Sequence, residues 1–383
     1  MKILIVLTYY RPNISGLTIY AELLANAFIE HGHEVTVLTS RHEKNLPLVE
    51  VVNKVRIVRA PVLLKISKGV VMPTFSSLAA ELIREHDIVQ IHLPQFDSAF
   101  ISILAKVSHK PVIITYHCDL LMPPGLIPWL ANKAVIMMNG ISALFASKIV
   151  TYTQDYADHS DFLKKYRNKV KIILPPVELP RVNENEIESY RLKTNPHKKY
   201  PVIGMAVRFA TEKGVEVILD AMPKVLKEFP NTLLQFSGPY KDIRGEEQYI
   251  EHLLPRIHEL EKSGNWMFLG PQTHYEMALF YPNIDVLILP SLNSTEAFGL
   301  VQIEAMVSGT PSVASALPGV RQPVYQHKMG KIVPIGDSEA LADALIHIFK
   351  SPKEFQQNPE EIRKQYLPGK IAESYEALFT DLI

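Results

Sequence analysis

The sequence has little of what would mark an extracellular, fibrous or membrane-spanning chain. Its 383 residues contain one cysteine, Cys118, so no intramolecular disulfide can form and a reducing compartment, by default the cytoplasm, is expected. No run of about 18 apolar residues is there to span a bilayer, and the opening MKILIVLTYYRPN carries too short an apolar run for a signal peptide. Low-complexity tracts are absent. An excess of one charge is absent too: Lys+Arg and Asp+Glu stand at 40 each, which argues against a nucleic-acid partner and against an acidic tail. The balance is uneven along the chain, since residues 1–180 hold 19 Lys/Arg against 14 Asp/Glu and residues 181–383 hold 21 against 26. The basic half is the one suited to face an anionic surface. There is no Cys/His cluster, H-E-x-x-H or carboxylate array to suggest a metal, and no G-x-S-x-G, P-loop or G-x-G-x-x-G.

Hydrophobic residues make up 47% of the chain, enough for two or three domains with cores of their own. The first 40 residues read strand, loop, helix, strand. KILIVLT is followed by a stretch in which Ile19, Leu23 and Ala27 recur every four residues, then by Gly32 where a helix C-cap belongs, then by EVTVLTS. DIVQIH, PVIITYH and KIVTYT continue as short β-branched runs, which predicts a parallel, doubly wound α/β sheet. The rhythm breaks in the proline- and charge-rich stretch after Ile173 and restarts with PVIGMAV, NTLLQFSG, NWMFLG, IDVLILPS and TPSVASA. The expected organisation is a domain over 1–178, a linker over 179–200, a second domain over 201–366 and a last helix over 367–383 that could cross back to the first. A cleft between the two domains, lined by the loops after the strands, is where a ligand is expected.

Two loops of the second half carry the strongest chemistry. RFATEKG places Arg208 and Lys213 in a loop that opens a helix, where free backbone N–H groups and the helix dipole join two cations in favouring an anion such as a diphosphate. The bland alternative is a pair of solvated charges, with Lys213 paired to Glu216. In LNSTEAFG, Glu296 precedes a helix expected to start near Phe298, with the N–H groups of Phe298, Gly299 and Leu300 alongside. Glu304 lies about two turns in, among Leu300, Ile303, Met306 and Val307. A carboxylate there accepts two charge-assisted hydrogen bonds, which suits a vicinal diol such as ribose; the alternative is a polar stripe with Ser308. In the first half, Gly16 opens a helix after the first strand, and His117 ends PVIITYH, where it could donate to a phosphate or sugar oxygen or be structural.

Together these residues resemble the retaining glycosyltransferases of family 4, of the type that builds bacterial cell-surface polysaccharide. The likeness runs along nearly the whole chain. It is most specific in EAFGLVQIEAMVSGTPSVAS, similar to the family's E-x7-E signature, and in VRFATEKGVE, similar to its phosphate-clamp loop. It implies the GT-B fold, two Rossmann-like domains facing across a cleft, with the acceptor on the N-terminal domain and the nucleotide-sugar donor on the C-terminal one. It implies that Arg208 and Lys213 bind the donor diphosphate and stabilise it as it leaves, and that Glu304 holds the ribose diol. Glu296 would meet hydroxyls of the transferred sugar beside the N–H groups of Phe298, Gly299 and Leu300. Gly16 would let the backbone approach the diphosphate, and His117 would sit by the sugar. Arg208, Lys213, Glu296 and His117 are thus the expected catalytic residues, without metal or cofactor, in a front-face attack within an ion pair. The family often has two glycines where this chain has Ser15-Gly16, and a glycine where it has Val207.

The expected activity is transfer of a hexose, from a UDP-hexose by preference or from GDP-mannose, to a saccharide or lipid-linked saccharide. A nucleotide-sugar epimerase, which needs no acceptor, is the alternative, followed by a non-catalytic sugar-nucleotide-binding subunit, which could lose Arg208, Lys213, Glu296 and Glu304 freely. Between His117 and Ile149 lies LLMPPGLIPWLANKAVIMMNGISALFASK. Pro123, Pro124 and Pro128 break its start, Trp129 suits a membrane interface, and Lys133 and Lys148 add positive charge. Peripheral contact with the inner face of the cell membrane is therefore expected for this segment, the other reading being core helix.

Overall fold

The computed structural model describes residues 1–66, 69–122, 125–243 and 245–383. The chain divides into two units, Met1–Val177 with Tyr366–Ile383, and Glu178–Gln365.

The first unit is built on β1 (Lys2–Val6), β2 (Glu34–Arg41), β3 (Val49–Val52), β4 (Val55–Pro61), the hairpin β5 (Leu64–Ile66) and β6 (Gly69–Val71), then β7 (Ile88–Leu93), β8 (Val112–Tyr116), β9 (Lys148–Thr151) and β10 (Val170–Ile172). Apart from the hairpin these form one sheet in the order β10-β9-β8-β7-β1-β2-β4-β3. All neighbours are parallel except β3 against β4. Every residue of β7 and β8 is buried, as expected of strands covered by helices on both faces. The first crossover is the helix Gly16–Glu30. Ser15 caps its start by accepting from Thr18 N at 3.2 Å, and Gly32 follows its C-cap, His31. The chain's last helix, Pro368–Thr380, also belongs to this unit. Tyr375 shares a 2.7 Å hydrogen bond with Tyr20, its neighbour Glu376 meets His31 at 2.7 Å and His33 at 3.0 Å, and Phe379 packs on Phe28.

The second unit has β11 (Val202–Ala206), β12 (Leu233–Ser237), β13 (Trp266–Gly270), β14 (Val286–Leu289), β15 (Ser312–Ser315) and β16 (Gly330–Val333), all parallel, in the order β13-β12-β11-β14-β15-β16. Its core is made by Phe209, Phe236, Trp266 and the apolar face of the helix Val215–Glu228. Within the stretch read as a linker, 179–200, stands a helix, Glu184–Thr194. Asn183 and Glu186 close a capping box at its start, and Tyr190 and Arg191 tie it to Gln272 and Asn283 of this unit. Charge hid it, because its exposed face carries the residues that read as linker.

In each sheet the strand order reverses once. Between β11 and β14 in the second unit, and between β1 and β7 in the first, successive connections leave in opposite directions. The loops at the carboxyl ends of such strand pairs splay apart and leave room for a ligand.

Candidate functional site

The loops after β11 and β14, on either side of the second unit's reversal, hold the residues that the sequence singled out there. Arg208 follows β11 by two positions, and its guanidinium pairs with Glu212. A single 3-10 turn, Thr211–Lys213, then brings Lys213 to Gly214, the left-handed residue before the helix Val215–Glu228. A side chain at Gly214 would place its Cβ 2.3 Å from the Pro290 carbonyl oxygen of the loop after β14. That contact, with Leu292 N donating to Glu212 O at 2.9 Å, fastens the two loops together. Across the seam Lys213 Nζ donates to Glu296 Oε2 at 2.7 Å, the two side chains being only 16% and 20% exposed. Glu216, the alternative partner for Lys213, is taken by Tyr249. Burial works against the charge of Lys213, but Glu296, with help from Glu212, outweighs it and raises the ammonium above its ordinary pKa. Glu212 keeps its charge against burial by its own backbone N–H, Arg208 and Lys213, which lower its pKa.

The helix after Glu296 runs Leu300–Met306, starting two residues later than the sequence suggests. Gly299 is its N-cap, at φ +80°, and a Cβ there would lie 2.3 Å from Leu289 Cδ2 and 2.7 Å from Gln302 Nε2. Gln302 is buried and donates to the Phe298 and Val320 carbonyls, so the turn Phe298-Gly299-Leu300 is shaped from behind by packing. Glu304 consequently sits little more than one turn into the helix, not two. Its Oε2 accepts a 2.5 Å hydrogen bond from the hydroxyl of Tyr281, which is fully buried. Burial raises its pKa, and Tyr281 and His274 oppose the rise. Ser308, proposed as a stripe-mate, donates instead to the Glu304 backbone oxygen at 2.9 Å. Tyr281 was missed in the sequence, where YPNIDVLILP reads as an approach to a strand.

Gly16 and His117 belong to the first unit. Gly16 is the first residue of the helix Gly16–Glu30, next to its cap, Ser15. His117 is engaged by side chains of its own unit. Its Nε2 meets His92 Nδ1 at 2.7 Å, its Nδ1 is taken by the Tyr152 hydroxyl, and the Tyr20 ring stands edge-on at 5.1 Å. Burial, then His92, push its pKa well below the ordinary value, and burial takes His92 to about 3. Both ring nitrogens are thus engaged by side chains of the first unit.

The same unit carries an apolar outward surface. The helices Ser98–Val107 and Leu126–Phe145 pack side by side, joined by Ser102 to Ser142 at 2.6 Å. On the first, Phe100, Ile103 and Val107 are exposed, preceded by Phe96; on the second, Leu126, Trp129, Leu130, Met137 and Leu144 are exposed. At 3.6 residues per turn each set falls on one stripe. Lys133 lies on the second, its ammonium 5.9 Å from the Trp129 ring centre. From Ser98 to Gln154 the only acidic residue is Asp119, which is engaged internally by Tyr116 and Ser160. Pro123 and Pro124 lie outside the described residues. Among the described residues no helix is long and apolar enough to cross a membrane, and no three His, Cys, Asp or Glu are grouped to hold a metal ion.

Comparison with known proteins falls along the same division. Residues 186–365 match the family model described as Glycosyl transferases group 1, and residues 14–181 the one described as Glycosyltransferase Family 4. The phosphatidyl-myo-inositol mannosyltransferase of Mycobacterium leprae is 27% identical over 70% of this chain and 65% of that protein. The alpha-monoglucosyldiacylglycerol synthase of Streptococcus pneumoniae is 24% identical over 88% of this chain and 76% of that one. Among solved structures, Anabaena HepE in complex with UDP-glucose superposes with a TM-score of 0.79 at 15% identity, covering all of both chains. The sucrose-phosphate synthase of Thermosynechococcus elongatus superposes with a TM-score of 0.77 at 19% identity, covering 100% of this chain and 98% of that one.

Proposed function

The chain belongs to the GT-B glycosyltransferases that the group 1 and family 4 models describe, and from that premise we propose that it moves a hexose from a nucleoside diphosphate sugar to a lipid-linked saccharide, with retention of configuration. The observation that carries the reading is the fastening of Lys213 to Glu296 across the β11/β14 reversal, with Glu304 on the helix that follows. Arg208 and Lys213 take up the charge that develops on the leaving diphosphate, a preorganised electrostatic role. Lys213 is held in wait by Glu296, which turns to hydroxyls of the transferred sugar when the diphosphate arrives. Glu304 holds the ribose. The anomeric carbon–oxygen bond to the diphosphate breaks, the acceptor oxygen bonds to that carbon on the same face, and its proton passes to the leaving phosphate. His117 is assigned a supporting role only.

UDP-hexose is the favoured donor, in keeping with HepE and its UDP-glucose; GDP-mannose is the alternative, in keeping with the mannosyltransferase relatives. A lipid-linked acceptor accords with relatives named as a phosphatidyl-myo-inositol mannosyltransferase and an alpha-monoglucosyldiacylglycerol synthase. It accords also with the apolar, lysine-bearing stripe on Ser98–Val107 and Leu126–Phe145, to which we assign contact with the anionic inner face of the cell membrane. A thermal-shift screen of UDP-, GDP- and ADP-sugars tests the donor reading. Stabilisation by one nucleotide class, lost in Lys213→Ala, is expected; no shift with any of them refutes it.

A further inference from the structure

We propose that Tyr281 makes Glu304 a one-oxygen reader, so that this site discriminates between the two ribose hydroxyls of its nucleotide instead of binding them equivalently. The inference rests on the assignment of Glu304 to the donor ribose. A free carboxylate has two equivalent oxygens and could grip both hydroxyls of a vicinal diol. In this protein they are not equivalent. Oε2 is turned toward the interior, where the hydroxyl of Tyr281, a fully buried residue, donates to it at 2.5 Å. Oε1 has no hydrogen-bond partner among the described residues, and Glu304 itself is partly exposed.

The tyrosine is itself fixed. It opens the 3-10 turn Tyr281–Asn283 ahead of β14, and its carbonyl accepts from Thr310 Oγ1 at 2.6 Å, just before β15. Ser308 Oγ donates to the Glu304 carbonyl at 2.9 Å, on the same short stretch between helix and strand. The phenol is therefore a fixed post against which the carboxylate leans, and swinging Oε2 outward would strand a buried hydroxyl. A ribose hydroxyl reaching Oε1 gains a charge-assisted hydrogen bond, worth about ten- to a hundredfold in affinity. Its neighbour on the ring is left with Oε2, whose remaining lone pair is the weaker acceptor because the other already takes the Tyr281 hydroxyl. Tyr281 is on this view a positioning residue: it touches the carboxylate and not the nucleotide.

The test is calorimetry with UDP, 2′-deoxy-UDP and 3′-deoxy-UDP, and the GDP series in parallel, on wild type, Tyr281→Phe and Glu304→Gln. In wild type one deoxy compound should bind within about threefold of its parent while the other loses at least about tenfold. In Tyr281→Phe, where both oxygens are free to turn, that ratio should move toward one. A tyrosine that merely packs would weaken all three ligands alike and leave the ratio alone. Equal losses for the two deoxy compounds in wild type overturn the one-oxygen reading, and that measurement needs no variant to fold. If Glu304→Gln leaves affinity for the parent nucleotide unchanged, or if neither UDP nor GDP binds, the donor-site assignment fails, and this inference with it.

Discussion

Lys213→Met is the substitution that separates the two duties of the ion pair at the loop seam. The methionine keeps most of the apolar stem and deletes the charge. At 2.7 Å and an effective dielectric of about 20, the gross attraction between Lys213 and Glu296 is about 6 kcal/mol, but most of it is cancelled by the desolvation of two groups that are largely buried. What the substitution exposes is asymmetry. Glu296 loses its one ion-pair partner among the described residues, whereas Lys213, in the reverse experiment Glu296→Gln, still has the field of Glu212, which helps to raise its pKa. Breaking a fully buried pair costs about 3–5 kcal/mol; at 16% and 20% exposure a loss of roughly 2 kcal/mol is expected for Lys213→Met, and less for Glu296→Gln.

A domain of ordinary stability, about 5–15 kcal/mol, stays folded after such a loss, so activity can be measured in the variant. Turnover with a nucleotide sugar should fall by at least about a hundredfold, the scale for removing one preorganised charge-stabilising group. The double variant Lys213→Met/Glu296→Gln supplies the decisive comparison. Removing the stranded carboxylate charge should return most of the lost stability by urea titration and none of the lost turnover. Turnover within a few-fold of wild type in folded Lys213→Met would refute the diphosphate role. A double variant no more stable than Lys213→Met would refute the coupling across the seam.

Activity should persist in excess EDTA, because Arg208 and Lys213 provide the cationic charge at the diphosphate; complete loss restored by Mg²⁺ would contradict this. The membrane contact proposed for the apolar stripe can be followed without a label, since one of the two tryptophans, Trp129, is 54% exposed and the other, Trp266, is 3% exposed in the second unit's core. Emission should shift to the blue on vesicles containing phosphatidylglycerol at low salt, and the shift should disappear in Ile103→Glu/Met137→Glu; an unchanged spectrum refutes the assignment. The buried pair His92 and His117 should make stability fall with acid. Folded His92 titrates at about 3 and His117 well below the ordinary value, against about 6.5 when unfolded. The unfolded chain thus takes up protons first, and stability present above pH 6.5 is lost progressively below it, by about 2 kcal/mol per ring at pH 5. Urea midpoints at pH 7.5 and 5 should show the drop, with a flatter profile in His92→Gln; equal midpoints in wild type would mean that the rings are charged in the fold.

What the sequence could announce and what it could not follow from the range of the forces involved. β7, β8, β11 and β14 are legible because a parallel strand covered on both faces is an unbroken apolar run whatever its neighbours. The Arg208–Lys213 and Glu296–Glu304 loops stand out as candidates because their charged residues lie close together in the chain. β4 was missed for the opposite reason: VRIVRAP carries two arginines, and only the fold shows that the Arg59 side chain is 1% exposed, its charge met by Glu50 at 2.5 Å on the antiparallel neighbour β3. Glu296 stood out as a candidate, but its partner Lys213 stands 83 residues away, and composition around Lys213 favoured Glu216, one turn on. The partners of His117 were hidden by the same logic. A histidine at a strand's carboxyl end looks available until the two flanking strands, β7 and β9, bring His92 and Tyr152 to its two nitrogens.

Tyr281 is the extreme case, because nothing local distinguishes it from any aromatic at the edge of a core. It acquires a role only because the strand order reverses between β11 and β14. The turn that feeds β14 is thereby brought to the helix that follows it, and the phenol of the fully buried Tyr281 donates to Oε2 of Glu304. The sequence spaces the two glutamates eight residues apart, but which oxygen each presents is set by the residues behind them, Lys213 for one and Tyr281 for the other. Specificity at such a site is therefore altered most economically by changing the supporting residue, since exchanging the glutamate removes the interaction altogether whereas exchanging its support changes only where the interaction points.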